Sequence, residues 1–380
     1  MRTTVTRLEA LQATVDSGGE LPRPRLPRGA DTNAAAAYYR WGEPLVRFGL
    51  KLDSAEMALY WASRLDPTLP DPLYARAIVI LEALQHDAFD TWLKTRSVRA
   101  AQRVTITPRQ LELVDSLMRI AWARNPFLFT NLEFQHVAPG RRGDPVRDGW
   151  LAFASRRFAA ADSLFAIALR KHPEDVGVRI YRAKALFYLE RFDAAVAELA
   201  TARDSVRGKV EPRLSVIVPS VEMFEYAIGI TRVQQDDFPA ARSAFQRALT
   251  ENLGFYWAHA RLAGAALALG DTATALTELA QAVDLEGRDP VLRMYDGVVL
   301  RDVKRFDEAT AQLQQAIQLD PAYAAPYYWL ATVYQAQGKA RQATDQYRRF
   351  LELAARDDAN RHAAVRALDI LKAASPDSVH

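Results

Sequence analysis

The spacing of apolar residues predicts helices along most of this chain. Between residues 34 and 374 apolar side chains recur every three or four positions, and no long alternating run typical of strands interrupts them. Residues 305–321, RFDEATAQLQQAIQLDP, are representative, because Phe306, Ala309 and Leu313 fall on one face of a helix. Closely similar stretches occur earlier in the chain, so the sequence contains several copies of the same amphipathic helix.

The repeated helix returns with a fixed period. Each copy has an aromatic residue followed three positions later by alanine: the pairs are Phe158 with Ala161, Phe192 with Ala195, Phe238 with Ala241, and Phe306 with Ala309. Phe158 and Phe192 lie 34 residues apart, and Phe238 and Phe306 lie 68 apart, which is twice that period. Such a period indicates stacked helical hairpins, none of which can bury its apolar face alone.

The period and its small residues resemble the tetratricopeptide repeat family, whose unit is two antiparallel helices with small residues near positions 8, 20 and 27. We place six units at residues 142–175, 176–203, 222–255, 256–289, 290–323 and 324–357. Position 20 is alanine in all six: Ala161, Ala195, Ala241, Ala275, Ala309 and Ala343. Position 8 is glycine or alanine: Gly149, Ala183, Gly229, Ala263, Gly297 and Ala331. The resemblance implies an all-α fold, a right-handed α-solenoid of helix pairs.

Two departures from the family pattern are visible. Phe350 replaces the small residue at position 27 of the last unit. Position 4, often aromatic in the family, is polar in four units: Arg179, Glu225, His259 and Arg293. These units therefore match the family only in part.

Four segments lie outside the regular units. Residues 1–33 are predicted to be a flexible N-terminal segment that ends in a Pro/Arg-rich linker, and residues 34–141 a degenerate helical repeat region with an insertion. Residues 204–221 form a longer connection between the second and third units. Residues 358–380 are predicted to be a C-terminal capping helix and tail, because a solenoid needs a polar end to stay soluble.

Composition narrows the possible functions. The formal charge is +3, from 49 basic and 46 acidic residues, which argues against a nucleic-acid-binding protein. The chain has no cysteine, so disulfides and thiolate metal sites are excluded. No secretory signal and no run of roughly 20 apolar residues is visible. We therefore expect a soluble, cytoplasmic protein by default; a periplasmic location would require an export signal missing from this start.

No catalytic signature is found. The usual motifs of phosphate-binding loops, zinc helices, serine hydrolases and calcium loops are absent, and the six histidines are scattered. We expect no enzyme activity, no catalytic residue, no metal and no cofactor. Arg96, Arg99 and Arg103 share one face if helical, and form either a site for a phosphate or acidic partner or a solvated face. The nearly neutral chain favours the solvated face.

The resemblance also implies a groove, because positions 2, 5, 9, 12 and 13 of each first helix contact partners in the family. Carried onto this sequence, the predicted groove residues are Trp150, Phe153, Ile180, Lys184, Phe187, Tyr188, Met223, Tyr226, Ile230, Trp257, Met294 and Tyr328. Only Lys184 is cationic at position 9, and no asparagine accompanies it, so the lysine–asparagine clamp of chaperone-tail-binding members is not expected. An aromatic and aliphatic lining suits a partner helix or an extended apolar segment.

The expected function is a non-catalytic protein–protein interaction scaffold that binds a partner helix or apolar peptide in this groove. The partner is a protein or peptide; neither nucleic acid nor a membrane span is expected. One alternative is that the groove residues pack on one another, or on the insertion after Leu84, as intramolecular core. Another is a small-molecule or catalytic pocket between the N-terminal insertion and the first repeats.

Overall fold

The computed structural model describes residues 3–128, 132, 143–208 and 220–373, which form nineteen α-helices and no strand. Six helices precede the repeats: α1 (Thr4–Asp16), α2 (Ala35–Arg47), α3 (Leu52–Leu65), α4 (Pro70–Thr95), α5 (Val98–Ala101) and α6 (Pro108–Arg124). The repeats contain α7 (Pro145–Ala154), α8 (Phe158–Lys171), α9 (Val176–Tyr188), α10 (Phe192–Val206), α11 (Val221–Val233), α12 (Phe238–Glu251), α13 (Tyr256–Ala268), α14 (Thr272–Leu285), α15 (Pro290–Asp302), α16 (Phe306–Leu319), α17 (Ala325–Ala336) and α18 (Ala340–Leu353). The capping helix is α19 (Arg361–Ala373), which packs against α18.

The twelve repeat helices pair in order, so each of the six predicted units contains one helical hairpin. Every hairpin turn has a residue with positive φ at position 15: Arg156, Glu190, Asp236, Gly270, Lys304 and Gly338. This left-handed conformation ends the first helix and lets the chain reverse within a few residues. The all-α fold expected from the repeats is confirmed. Most of the connection predicted at residues 204–221 lies outside the described residues.

Small residues allow the two helices of a hairpin to approach closely. All six position-20 alanines are fully buried. A Cβ atom at Gly229 would lie 2.4 Å from Phe245 Cε1, and one at Gly149 would lie 2.7 Å from Phe165 Cε1. Because both distances are shorter than any real contact, the aromatic ring of the second helix occupies the space that glycine leaves.

The polar residues at position 4 of the second, fourth and fifth repeats tie their first helices to their surroundings. In the second unit Arg179 Nη2 donates to the Pro173 carbonyl, six residues earlier, at 2.8 Å, and Arg179 Nη1 to Glu198, nineteen residues later, at 2.8 Å. The same offsets recur at His259, whose ring nitrogens lie 3.0 Å from Leu253 O and 2.6 Å from Glu278 Oε2. They recur again at Arg293, which donates to Gly287 O and Gln312 Oε1 at 3.0 and 2.8 Å. These polar ties take the place of the aromatic residue that the family often has there.

The hairpins fall into two compact units that differ from the linear division expected from the sequence. Unit 2 covers residues 125–285 and holds α7–α14. Unit 1 combines residues 1–124 with residues 286–380, so α1–α6 belong with α15–α19. The N-terminal region and the last repeats are therefore one compact unit rather than separate parts of the chain.

Within unit 1, side chains near the two ends of the chain pair directly. Arg64 Nη2 donates to Asp320 Oδ1 at 2.7 Å, on the last turn of the fifth repeat. Asn33 Nδ2 donates to the Glu352 carbonyl at 2.7 Å. Burial raises the pKa of Asp320, whereas its hydrogen bonds with Arg64 act in the opposite direction. The ion pair therefore joins the degenerate N-terminal region to the C-terminal repeats.

The N-terminal segment expected to be flexible is helical and anchored. The first backbone N–H groups of α1, those of Thr4 and Val5, both donate to the Asp87 carboxylate at 3.0 Å. Further along, the Trp61 indole donates to the carbonyl of buried Leu21 at 2.9 Å. The guanidinium of Arg23 then lies 4.7 Å from the Trp61 ring centre. No helix in the described part of the chain is long and apolar enough to cross a membrane.

Candidate peptide-binding groove

One predicted groove surface in unit 2 is covered by another part of the same chain. Phe127 and Leu128, which follow α6, lie against the C-terminal half of α9. The rings of Phe127 and Phe187 stack with their centres 3.8 Å apart and their planes 4° from parallel. Phe127 and Leu128 are both buried by this contact and its neighbours. We call the surface formed by Lys184, Phe187 and Tyr188 the α9 face.

The α9 face also binds the backbone of the covering segment. Lys184 Nζ donates to the Leu128 carbonyl at 2.9 Å, and the Tyr188 hydroxyl donates to the Phe127 carbonyl at 2.7 Å. Two successive carbonyls are thus held by two side chains one helical turn apart. Lys184 is itself buried, and its ammonium lies 4.9 Å from the Tyr181 ring centre. A charge-assisted hydrogen bond in such a setting is stronger than a neutral one.

Aromatic rings of the first hairpin support this arrangement from behind. Tyr188 stacks on Phe158 with ring centres 4.7 Å apart, and contacts Phe153 edge-on at 6.4 Å. Trp150 lies on Tyr181, the ring that borders the Lys184 ammonium, with centres 3.8 Å apart. The supporting rings contact both donor side chains and restrict their conformations, which lowers the entropic cost of holding a segment.

This geometry can hold a peptide segment that presents two successive carbonyls. The donors contact main-chain carbonyls, so they place few demands on side-chain identity. The flat ring of Phe187 is selective for an aromatic side chain, because stacked rings add to the burial of apolar area. The α9 face therefore combines a tolerant backbone contact with one aromatic site.

The predicted groove residues on α11 and α13 are packed inside the protein. Tyr226 is fully buried, its ring 5.0 Å from Phe255 and 5.7 Å from Phe245, and its hydroxyl accepts from Arg261 Nε at 3.2 Å. Trp257 is buried as well. Ile180, Met223 and Ile230 are half-buried. The structure therefore differs from the expectation of an open aromatic surface at Tyr226 and Trp257.

The two predicted residues in unit 1 are separate from this group. Met294 is buried, and the Tyr323 hydroxyl donates to its sulfur at 3.2 Å. Tyr328 is half-buried, with its ring 5.3 Å from Phe350 and 5.0 Å from Trp329. Phe350, the departure at position 27, thus fills space beside Tyr328.

Sequence reasoning missed Phe127, Leu128 and Tyr181. Tyr181 stands at position 6 of its unit, which the family pattern does not assign to the groove. Phe127 and Leu128 follow Pro126 in the insertion, where the pattern predicted only the end of a helix. The one available signal was the run PFLF, an apolar stretch too short for a helix.

A separate cavity of about 340 Å³ lies inside unit 1. Its walls include Val5 and Leu8 of α1, Glu56 of α3, Val79 of α4 and Leu113 of α6. The sequence placed a pocket between the insertion and the first repeats, whereas this cavity lies between the insertion helix α6 and helices α1, α3 and α4.

Glu56 is the buried charged group in the cavity wall. Its Oε1 accepts from Arg76 Nε at 2.9 Å, and its Oε2, also buried, has no hydrogen-bond partner. Burial raises the pKa of Glu56, against the opposing effect of Arg76. In the described part of the chain, no cluster of three or more histidine, cysteine, aspartate or glutamate side chains could hold a metal ion.

Three family models match the chain, and several solved structures resemble it. A TPR repeat model matches residues 297–338, and two tetratricopeptide repeat models match residues 232–294 and 147–208. YrrB, described as a TPR protein with an unusual peptide-binding site, is 20% identical, with 54% of this chain and 97% of that chain covered and a TM-score of 0.41. A tetratricopeptide repeat protein from Parabacteroides merdae is 14% identical, with 77% and 98% covered and a TM-score of 0.41. A thermophilic TPR protein from Thermus thermophilus is 21% identical, with 60% and 99% covered and a TM-score of 0.36. No curated protein matches the chain.

Proposed function

The chain belongs to the tetratricopeptide repeat family, whose models match within residues 147–338, and we propose that it is a non-catalytic scaffold that holds an apolar peptide segment on the α9 face. The observation that carries the proposal is the seating of Phe127 and Leu128. A turn of backbone, closed by the Leu128 N–H donating to the Asn125 carbonyl at 3.1 Å, is held there by Lys184 and Tyr188, and its aromatic side chain stacks on Phe187. The chain's own segment serves as the template for the partner.

The template defines the chemistry of the partner. The partner peptide carries an aromatic residue followed by an aliphatic one, because these two side chains must replace Phe127 and Leu128. Its backbone forms a turn, as residues 125–128 do, and two successive carbonyls accept from Tyr188 and Lys184. A partner helix is a poorer fit, because helical carbonyls are already paired within the helix. The proposal therefore narrows the two partner types expected from the sequence to one.

Phe127 and Leu128, the resident segment, set the affinity that a partner peptide must reach to displace them. Because Phe127 and Leu128 are tethered to the groove, they compete at an effective concentration in the millimolar range, roughly as for a short linker. An external peptide binds tightly only when the resident segment is absent or displaced. The apparent Kd is the intrinsic Kd divided by the fraction of molecules with an open α9 face.

The test uses a variant with an emptied groove. In the double variant Phe127→Gly, Leu128→Gly the resident side chains are removed, and a fluorescein-labelled peptide of residues 122–132 is titrated while anisotropy is measured. We expect the peptide to bind this variant at least about tenfold more tightly than it binds the unmodified protein. Adding Lys184→Met and Tyr188→Phe should raise the Kd again by about tenfold or more, because both backbone hydrogen bonds are lost.

Controls separate loss of binding from loss of folding. The variant Leu253→Gly changes an exposed side chain in a turn of unit 2 and should leave peptide binding unchanged. Circular dichroism establishes that each variant keeps its helix content. If the emptied variant loses helix content, titration of the unmodified protein with high peptide concentrations, with and without Tyr188→Phe, gives the same comparison. The proposal would be refuted if the folded double variant did not bind the peptide. It would also be refuted if replacing Lys184 and Tyr188 left the Kd of the peptide unchanged.

A further inference from the structure

The C-terminal end of α4 carries large apolar side chains that face solvent. α4 is 26 residues long, the longest helix in the described part of the chain. Phe89 and Leu93 are one turn apart on the same face of its last turns, and are 59% and 40% exposed. Val98, at the start of α5, is 61% exposed, and α5 packs against α4. Exposed apolar residues gathered in this way mark a binding surface more often than isolated ones do.

The turn between α2 and α3 adds two more apolar side chains. Phe48 is 65% exposed and Leu50 is 56% exposed. Between them, a Cβ at Gly49 would lie 3.8 Å from the His86 ring, which is one turn before Phe89 on α4. We call Phe48, Leu50, Phe89, Leu93 and Val98 the apolar ridge. The ridge is unrelated to the α9 face, which lies in unit 2.

Basic residues flank the members of the apolar ridge in the sequence. Residues 91–111 contain five of them and no acidic residue: the basic residues are Lys94, Arg96, Arg99, Arg103 and Arg109. On the other side, the Arg47 guanidinium lies 5.0 Å from the Phe48 ring centre. Four acidic residues offset part of this charge: Asp16 pairs with Arg109, Glu43 lies 3.8 Å from Arg47, and Asp87 and Asp90 are on α4. Asp87 is buried and binds the first N–H groups of α1, and Asp90 lies 3.5 Å from Lys94.

Exposed apolar side chains with a basic rim are suited to a surface that presents anionic groups above a hydrocarbon layer. Phenylalanine, leucine and valine side chains enter the boundary between headgroups and acyl chains, and lysine and arginine side chains contact lipid phosphates. We propose that the apolar ridge and its basic rim form a docking site for an anionic lipid surface. The site binds the membrane from one side and does not require a spanning helix.

The geometry favours lipid over single-stranded nucleic acid, which also binds basic and aromatic surfaces. Nucleic-acid bases need open aromatic faces on which to stack. At α4, the Trp92 ring is stacked by Phe89 at 5.8 Å and approached by the Arg96 guanidinium at 5.2 Å. The aliphatic members of the ridge, Leu50, Leu93 and Val98, offer no stacking surface, whereas all of them can enter a lipid interface.

The test is co-sedimentation of the full chain with lipid vesicles. One set of vesicles contains phosphatidylcholine alone, and the other contains phosphatidylcholine mixed with phosphatidylglycerol. We expect partitioning onto the anionic vesicles to exceed that onto the neutral ones by about tenfold or more, and to weaken as salt is raised. A fluorescent single-stranded oligonucleotide is titrated in parallel.

Two pairs of substitutions divide the site into its components. Phe89→Ser with Leu93→Ser removes part of the apolar ridge, and Arg96→Glu with Arg99→Glu reverses two charges of its rim. Each pair should reduce partitioning onto anionic vesicles by about tenfold or more. All four side chains are exposed, so helix content should be unchanged.

Matched changes elsewhere are the controls. Leu253→Ser removes an apolar side chain that is 72% exposed in unit 2, and Arg170→Glu with Lys171→Glu reverses two exposed charges on α8. Both should leave partitioning unchanged. The proposal is overturned if the unmodified chain fails to sediment with anionic vesicles, or binds neutral ones equally. It is also overturned if the control pair on α8 reduces partitioning onto anionic vesicles as much as the pair on the rim does, or if the chain binds only the oligonucleotide.

Discussion

The α9 face and the residues Tyr226 and Trp257 on α11 and α13 all lie at repeat positions assigned to the groove, but they differ in what covers them. Tyr188 on α9 is 37% exposed and donates to a carbonyl of the insertion, whereas Tyr226 on α11 is completely buried among rings of its own hairpin and the next. The difference comes from the neighbours. Phe255 and Arg261 close over Tyr226, but the α9 face is closed by Phe127 and Leu128, which are far from it in sequence.

Repeat position determines which side of a helix a residue lies on, but not whether that side is accessible. A face closed by adjacent repeats is part of the core and cannot be vacated without unfolding. A face closed by a distant segment can be opened by displacing that segment. The two faces of unit 2 should therefore respond differently to substitution.

The largest expected effect is at Tyr226. Tyr226→Ala removes a fully buried ring and should lower the free energy of unfolding of unit 2 by about 3–5 kcal/mol, measured by urea denaturation. A loss below about 1 kcal/mol would mean that Tyr226 is not core and would remove the contrast with Tyr188.

The second prediction concerns the close approach of α11 to α12. Gly229→Val places carbon atoms where Phe245 lies, since even a Cβ would be 2.4 Å from its ring, and should cost about 3 kcal/mol. The control is Gly264→Ala on α13, where a Cβ has nothing within 4 Å. That change should stabilise the protein by about 0.5–1 kcal/mol, because alanine is the better helix former. Equal effects of the two changes would contradict the close packing at Gly229.

The third prediction concerns α15, the first helix of the fifth repeat, which belongs to compact unit 1. Burial raises the pKa of Asp296 on α15 from 3.8 to about 6, partly offset by Arg293 and Arg305. The folded state thus binds the proton more tightly than the unfolded state does. Stability contributed by protonated Asp296 is complete below pH 4 and is lost as the pH rises to about 6, by about 3 kcal/mol.

Asp296→Asn abolishes this dependence, because the amide does not ionise. The difference in unfolding free energy between the variant and the unmodified protein should shift in favour of the variant by about 3 kcal/mol from pH 4 to pH 7.5. Urea titrations at several pH values measure it. A difference that is constant with pH would show that Asp296 keeps an ordinary pKa in the folded protein.

The smallest expected effect is at the α9 face itself. Tyr188→Phe keeps the stacking on Phe158 but removes the hydroxyl that donates to the Phe127 carbonyl, so stability should fall by only about 1 kcal/mol. Hydrogen exchange at the backbone amide of Leu128 should accelerate at the same time. A large loss of stability without faster exchange would place Tyr188 in the core and would make the two faces alike.

The architecture was predictable because repeats encode it locally. The alanines at position 20 and the glycines at positions such as 149 and 229 specify close helix contacts within one hairpin, and the structure has a hairpin in each of the six units. The tetratricopeptide repeat family and the all-α fold were both confirmed. What these features share is that the interacting residues are fewer than about 34 positions apart.

The site was less predictable because its partners are distant in sequence. Lys184 and Leu128 are 56 residues apart, and Arg64 and Asp320 are 256 apart. No local sequence pattern predicts these two pairings, since none of the four residues is unusual among its sequence neighbours. Position 4 presents a different limitation: Arg179, His259 and Arg293 looked like mismatches to the family until their shared acceptors were visible.

Those polar ties at position 4 have a consequence for how a chain of near-identical hairpins assembles. Similar hairpins can exchange helices during folding, as multidomain and repeat proteins do when they misfold. Here the third unit reverses the polarity, because Glu225 accepts from Arg247 of its own second helix at 2.9 Å. If α11 were to pair with α14 instead, Glu225 would approach Glu278, and two carboxylates would repel each other. Glu225 also accepts from Arg203 of α10 at 2.7 Å, so the reversed charge at this one position disfavours the pairing of α11 with α14 and fixes α11 between its neighbours.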